Sequence, residues 1–193
     1  MAVRASSVSR LILWTVCVCM AGTLWIPSAA HAASAQAINS GADRALAQFK
    51  SQVKGADSFL RTAKGVLIFP EVIQAGIGIG GEYGEGVLRI RGKSVAYYSL
   101  AAGSIGFQLG AQRKSIIIAF LQDQALSRFR SEARTDKSWQ VGVNGSVALL
   151  NLGAQASINS AAINQPIVGF VFGQAGLMYN LSLQGSKITK LVR

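Results

Sequence analysis

The chain has 193 residues, with 19 Lys and Arg against 8 Asp and Glu, a formal net charge of +11 and 50% hydrophobic residues. This composition excludes a disordered acidic chain and supplies enough apolar material for one core. The two Cys and the single His fall at Cys17, Cys19 and His31, so thiol and imidazole chemistry is absent from everything that follows residue 32.

Residues 1–32 read as a secretory leader. Arg4 and Arg10 form a basic start, Leu11 to Pro27 is apolar, and Ala30-His31-Ala32 is a small-x-small cleavage pattern. Cleavage is expected after Ala32, leaving Ala33 as the new N-terminus. The competing reading is a retained membrane anchor, for which the apolar run is near the minimum length of a span. Cys17 and Cys19 each follow Val, where a lipidation motif wants a small residue, so acylation is not expected. The expected product is a single domain, residues 33–193, exported and then periplasmic or membrane-associated. Without Cys it can form no disulfide, and its stability must come from packing.

Residues 34–54 carry Ile38, Ala42, Ala45, Leu46, Phe49 and Val53 at helical spacing, which predicts an amphipathic helix. It reads either as a helix covering the sheet or as a membrane-surface helix, apolar below and basic at its flanks. A second helix is predicted from Asp57, as its N-cap, to Lys64, ended by Gly65. Val66 to Phe69, closed by Pro70, reads as a short buried strand.

At Gly76, Gly78, Gly80, Gly84 and Gly86 the chain repeats glycine at strand period, leaving one face nearly without side chains. Such a row predicts sharp curvature, a bulge or the close approach of another segment. Gly76, Gly78 and Gly81 also match the spacing of a dinucleotide-binding fingerprint. No helix pattern follows them, and residues 97–107 lack the acidic residue that fingerprint needs.

Further strands are predicted at 86–91, 94–100, 103–111 and 115–120, with a hairpin turn at Gly92-Lys93. A helix capped by Asp123 runs to Arg130, and a polar loop follows at 131–137. Strands are then predicted on both sides of a hairpin dipeptide, Asn144-Gly145. A polar connection at 158–165 leads to strands at 167–173, 176–183 and 186–192, turned at 173–176 and 184–185. The fold class is α+β: a strongly curved, mostly antiparallel sheet, or a barrel-like one, with the N-terminal helices and one mid-chain helix packed on it.

Without Cys or His, the common nucleophile–base pairs and the usual zinc and copper sites cannot be built. Neighbouring acids occur only at Glu82 with Glu85 and Glu132 with Asp136, and no Ser lies in a Gly-x-Ser-x-Gly elbow. A non-catalytic protein without metal or cofactor is expected.

The segments 64–70, 78–86, 106–112, 169–173 and 176–181 together resemble the SYLF domain family, over roughly residues 36–191. The resemblance implies a lipid-binding domain, with phosphoinositide membranes and, in the yeast-type member, actin as partners of eukaryotic relatives; bacterial relatives are exported. No attached Src-homology or FYVE domain, as found in eukaryotic members, is expected here. An exported bacterial protein meets neither actin nor phosphoinositides in its own cell.

The expected function is therefore a lipid-binding, peripheral membrane-surface module of the cell envelope. The alternative is a protein-interaction domain, actin-binding-like or structural. The expected partner is an anionic phospholipid surface, with a protein partner left open and nucleic acid excluded by export. The lipid-binding residues are expected to be Arg44, Lys50, Lys54, Arg61 and Lys64 on the two N-terminal helices. Lys187, Lys190 and Arg193 are expected to join them from a terminal edge strand, where lysine also discourages aggregation.

Overall fold

A computed structural model describes residues 33–151, 156–157, 164–176 and 183–193. The leader, most of the polar connection at 158–165 and most of the strand expected at 176–183 lie outside the described residues. Ser34 caps helix α1, Ala35–Gln52, its hydroxyl accepting a hydrogen bond from the Ala37 amide at 3.1 Å. A two-residue strand β1, Val53–Lys54, leads to helix α2, Ala56–Thr62. The cap of α2 is Gly55 at φ 86°, and Asp57 sits one residue inside the helix instead of capping it. Glycine takes that left-handed conformation without the steric cost of a Cβ.

The body of the fold is one long hairpin, strand β2, Gly65–Ile90, and strand β3, Lys93–Phe120, paired antiparallel. The short strands expected between 66 and 120 are segments of these two, because the breaks in their periodicity are register shifts within a continuous ladder. The shifts fall between Phe69 and Val72, Ile77 and Ile79, and Leu88 and Arg89. At the middle one, residues 106–108 of β3 oppose only Gly78 of β2. The turn is Arg91-Gly92, one residue earlier than expected, with φ of 51° and 76°. Positive φ at both central positions is the two-residue turn whose twist suits a hairpin.

Helix α3, Asp123–Glu132, follows, with Gln122 rather than Asp123 at its cap. The remaining strands are β4, Trp139–Gln140; β5, Ala148–Asn151; β6, Ala156–Ser157; β7, Ile167–Gly176; and β8, Lys187–Leu191. One edge of β3 holds β2. Its other edge pairs with β8 through residues 97–101 and with β7 through 112–120. β4 adds to β8, and β5 adds to β7 in parallel. Asn144-Gly145 therefore closes a local loop and not a hairpin, since the strands on its two sides go to different partners. The turn expected at 173–176 lies inside β7, where Gly173 at φ 65° accompanies a bulge against β3. A separate parallel pair joins β1 to β6.

The main sheet is mostly antiparallel and curls into a half-barrel. Its glycines permit the curl. A Cβ on Gly86 would stand 2.4 Å from the Ile68 carbonyl oxygen, and one on Gly84 would stand 2.7 Å from that of Glu71. The two ends of β2 thus pack against each other backbone to backbone.

Both faces of the sheet are covered. Leu67, Phe69, Ile116, Ile118 and Phe120 join α3 in one core, where the Phe129 ring lies 5.1 Å from Tyr98, 4.8 Å from Phe120 and 5.4 Å from Trp139. Ile68, Ile117, Phe170 and Phe172 join α1 and α2 in the other, centred on Phe49 at 4.8 Å from Phe170. Burial on both faces explains the uninterrupted apolar runs at 66–69 and 116–120.

Candidate functional site

Helices α1 and α2 meet the turn end of the hairpin in a groove of about 370 Å³. Leu46, Leu60, Val66 and Ile68 line it with apolar surface, and Lys50, Arg61, Arg89 and Arg91 bring cations to it. Asp57 is the one carboxylate in the lining. It accepts a 2.9 Å ion pair from Lys50 and a contact from Arg61. The hydrogen bond from Lys50, followed by the charge of Arg61, holds the Asp57 carboxyl below its ordinary value.

Arg89 is fixed from behind. Its guanidinium donates to Asp43 at 2.6 Å and to the Asn39 carbonyl at 3.3 Å, while its buried Nε–H has no protein partner. Asn39 also donates to the Tyr97 hydroxyl and accepts from Ser94, each at 2.7 Å. These bonds attach α1 to the hairpin end and set one wall of the groove.

The structure brings together only part of the cationic set expected from sequence. Lys50 and Arg61 line the groove; Arg44, Lys54 and Lys64 do not. Arg44 lies exposed in a second groove with Pro70 and Glu71. Lys54 is exposed on β1, and Lys64 stands 3.8 Å from Asp123 at the start of α3. Lys187 and Lys190 are exposed on β8, outside the groove. β8 is not the edge strand expected, because β3 flanks one side and β4 pairs with Lys187 and Ile188 on the other. Arg193 donates to Glu85 at 2.6 Å.

Arg89 and Arg91 were missed because their strand reads only as a hairpin. The signal available was Arg91 itself, a charged residue where a tight turn favours Asn, Asp or Gly.

Glu82 and Glu85, neighbours in sequence, do not form a two-carboxylate site. Glu82 turns inward to Lys114 at 2.6 Å, with side-chain exposures of 6% and 1%, whereas Glu85 binds Arg193. Among the described residues, no group of three His, Cys, Asp or Glu could hold a metal ion, and no helix is long and apolar enough to cross a membrane.

The curled α+β fold thus carries a cation-lined groove between its N-terminal helices and the turn end of the hairpin. Residues 101–191 match the family model Ysc84, described as Las17-binding protein actin regulator, which agrees with the SYLF resemblance read from the sequence. The match runs from the middle of β3 through β8, so the groove's lining residues precede it. No curated protein matches the chain.

Proposed function

We propose that the chain is a peripheral membrane-surface module of the cell envelope, exported by a leader cleaved after Ala32, that docks on anionic phospholipid through the groove of α1, α2 and the hairpin turn. The observation that carries this reading is the pairing of apolar lining with Lys50, Arg61, Arg89 and Arg91 in one recess. Phosphate is the matching chemistry, because a guanidinium presents forked donors to it.

Asp57 and Asp43 offset part of this charge. A surplus of roughly two cations near an anionic bilayer is worth about 2 kcal/mol, on the order of a thirtyfold preference over a neutral one. The exposed Arg44 and Lys54 add to the field around the groove.

Co-sedimentation with phosphatidylglycerol-containing and pure phosphatidylcholine vesicles tests the proposal. The parent should bind the former and lose it between 0.1 M and 1 M salt, as the Debye length shrinks from about 10 Å to about 3 Å. Binding that ignores lipid charge overturns it. The family description favours a second reading, a protein-binding domain of the kind that contacts Las17 or actin. Actin co-sedimentation without vesicle binding would select that reading.

A further inference from the structure

The residue that follows the expected cleavage point has a carboxylate waiting for it. Ala33 precedes the Ser34 cap of α1, and its amide nitrogen lies 3.0 Å from Oε2 of Glu85 on β2. The same oxygen accepts from Arg193 at 2.6 Å, and Oε1 accepts from the Tyr83 hydroxyl at 2.9 Å. The Glu85 side chain is only 9% exposed. Tyr83 and Glu85 share a strand face, two residues apart, so the geometry is built into β2. The compact unit of the fold also begins at Ala33.

Resting on the reading of residues 1–32 as a removed leader, we propose that Glu85 is the binding site for the α-ammonium of the processed chain. Hydrolysis of the Ala32–Ala33 peptide by a leader peptidase consumes one water. It leaves a carboxylate on Ala32 and, at neutral pH, an ammonium on Ala33. The amide contact to Glu85 then becomes a charge-assisted one, which is roughly twice as strong as a neutral hydrogen bond. A carboxylate has about four acceptor positions, so it can hold the ammonium, Arg193 and Tyr83 together. Processing thereby ties the start of α1, strand β2 and Arg193 into one knot, and the cleaved form is the one the fold completes.

Five side chains surround the new amine. Glu85 favours its charged form and Arg193 opposes it. Tyr83 is held neutral, its ionisation pushed up by burial and by Glu85. Arg44 and Glu71 line the adjoining groove that Ala33 also borders.

The test expresses the full chain with its leader in an exporting bacterial host. Intact mass and N-terminal sequencing of the product come first, then titration of the Ala33 amine by NMR of ¹³C-labelled protein. The product should begin at Ala33. Its amine should titrate above the ordinary range of about 7.7–8.0, and Glu85→Gln should lower the titration point by about one pH unit, a tenfold loss of proton affinity. Glu71→Gln should leave it within a few tenths of a unit.

The stability so gained is complete below the ordinary amine value and disappears as pH rises through the folded-state value. If Glu85→Gln does not fold, the parent protein still decides the matter by comparison of its amine in buffer and in urea. A product starting elsewhere removes the leader reading and the proposal with it. A product starting at Ala33 whose amine titrates no higher folded than unfolded, or equally in parent and Glu85→Gln, overturns the Glu85 site alone.

Discussion

Arg91 carries two demands that conflict. Its φ of 51° is a conformation that side chains other than Gly, Asn and Asp adopt at a cost, yet its cation lines the groove. Arg91→Asn should therefore raise stability by about 0.5–1 kcal/mol in urea unfolding, with Asn-Gly completing a favoured turn. The same variant should weaken binding to anionic vesicles about fivefold, the value of roughly one interfacial cation. A second residue pair is held together by burial. Lys114 and Glu82 form an ion pair inside the curl with little solvent to replace either partner. Lys114→Met should cost about 3–5 kcal/mol by leaving Glu82 uncompensated, and Glu82→Leu added to it should recover most of that loss. Denaturant titration of both variants measures the difference.

At the scale of elements, the glycine row separates into positions with different duties. Gly86 is closed in by the Ile68 carbonyl and the Phe69 ring, with a Cβ reaching 2.6 Å from the latter. Gly103, on the partner strand, has nothing within 4 Å of its Cβ position. Gly86→Ala should destabilise by about 1–3 kcal/mol, because backbone cannot rotate aside as a side chain can. Gly103→Ala should change stability by no more than about 0.5 kcal/mol. Thermal unfolding of the two variants distinguishes glycine kept for close approach from glycine kept for none.

For the whole molecule, the decisive quantity is which cations act together. Replacing Lys50, Arg61, Arg89 and Arg91 with Gln should abolish binding to phosphatidylglycerol vesicles. Replacing Arg44, Lys54, Lys64, Lys187 and Lys190 should reduce it only through the general field. Vesicle co-sedimentation of the two sets, with circular dichroism to check the fold, compares a grooved site with dispersed charge. Equal losses would favour dispersed charge.

Much of the fold was written in local patterns. The 3.6-residue spacing of Ile38, Ala42, Ala45 and Phe49 made α1 legible, and the glycine period in β2 made the curvature legible, because both are properties of neighbouring residues. The α+β class and the family resemblance followed from the same local information. What local patterns could not specify was continuity. A bulge and a turn both interrupt alternation, so β2 and β3 read as several strands although their ladder is unbroken. Nor could they specify partnership across the fold. Arg89 and Arg91 meet Lys50 and Arg61 only because the hairpin end docks on α1 through Asn39. Lys187 lies inside a sheet edge only because β4 returns to it. Sequence determined which residues are apolar, glycine or charged and at what period. Tertiary structure decided which charges share a surface, since that depends on contacts between segments some 40 to 100 residues apart.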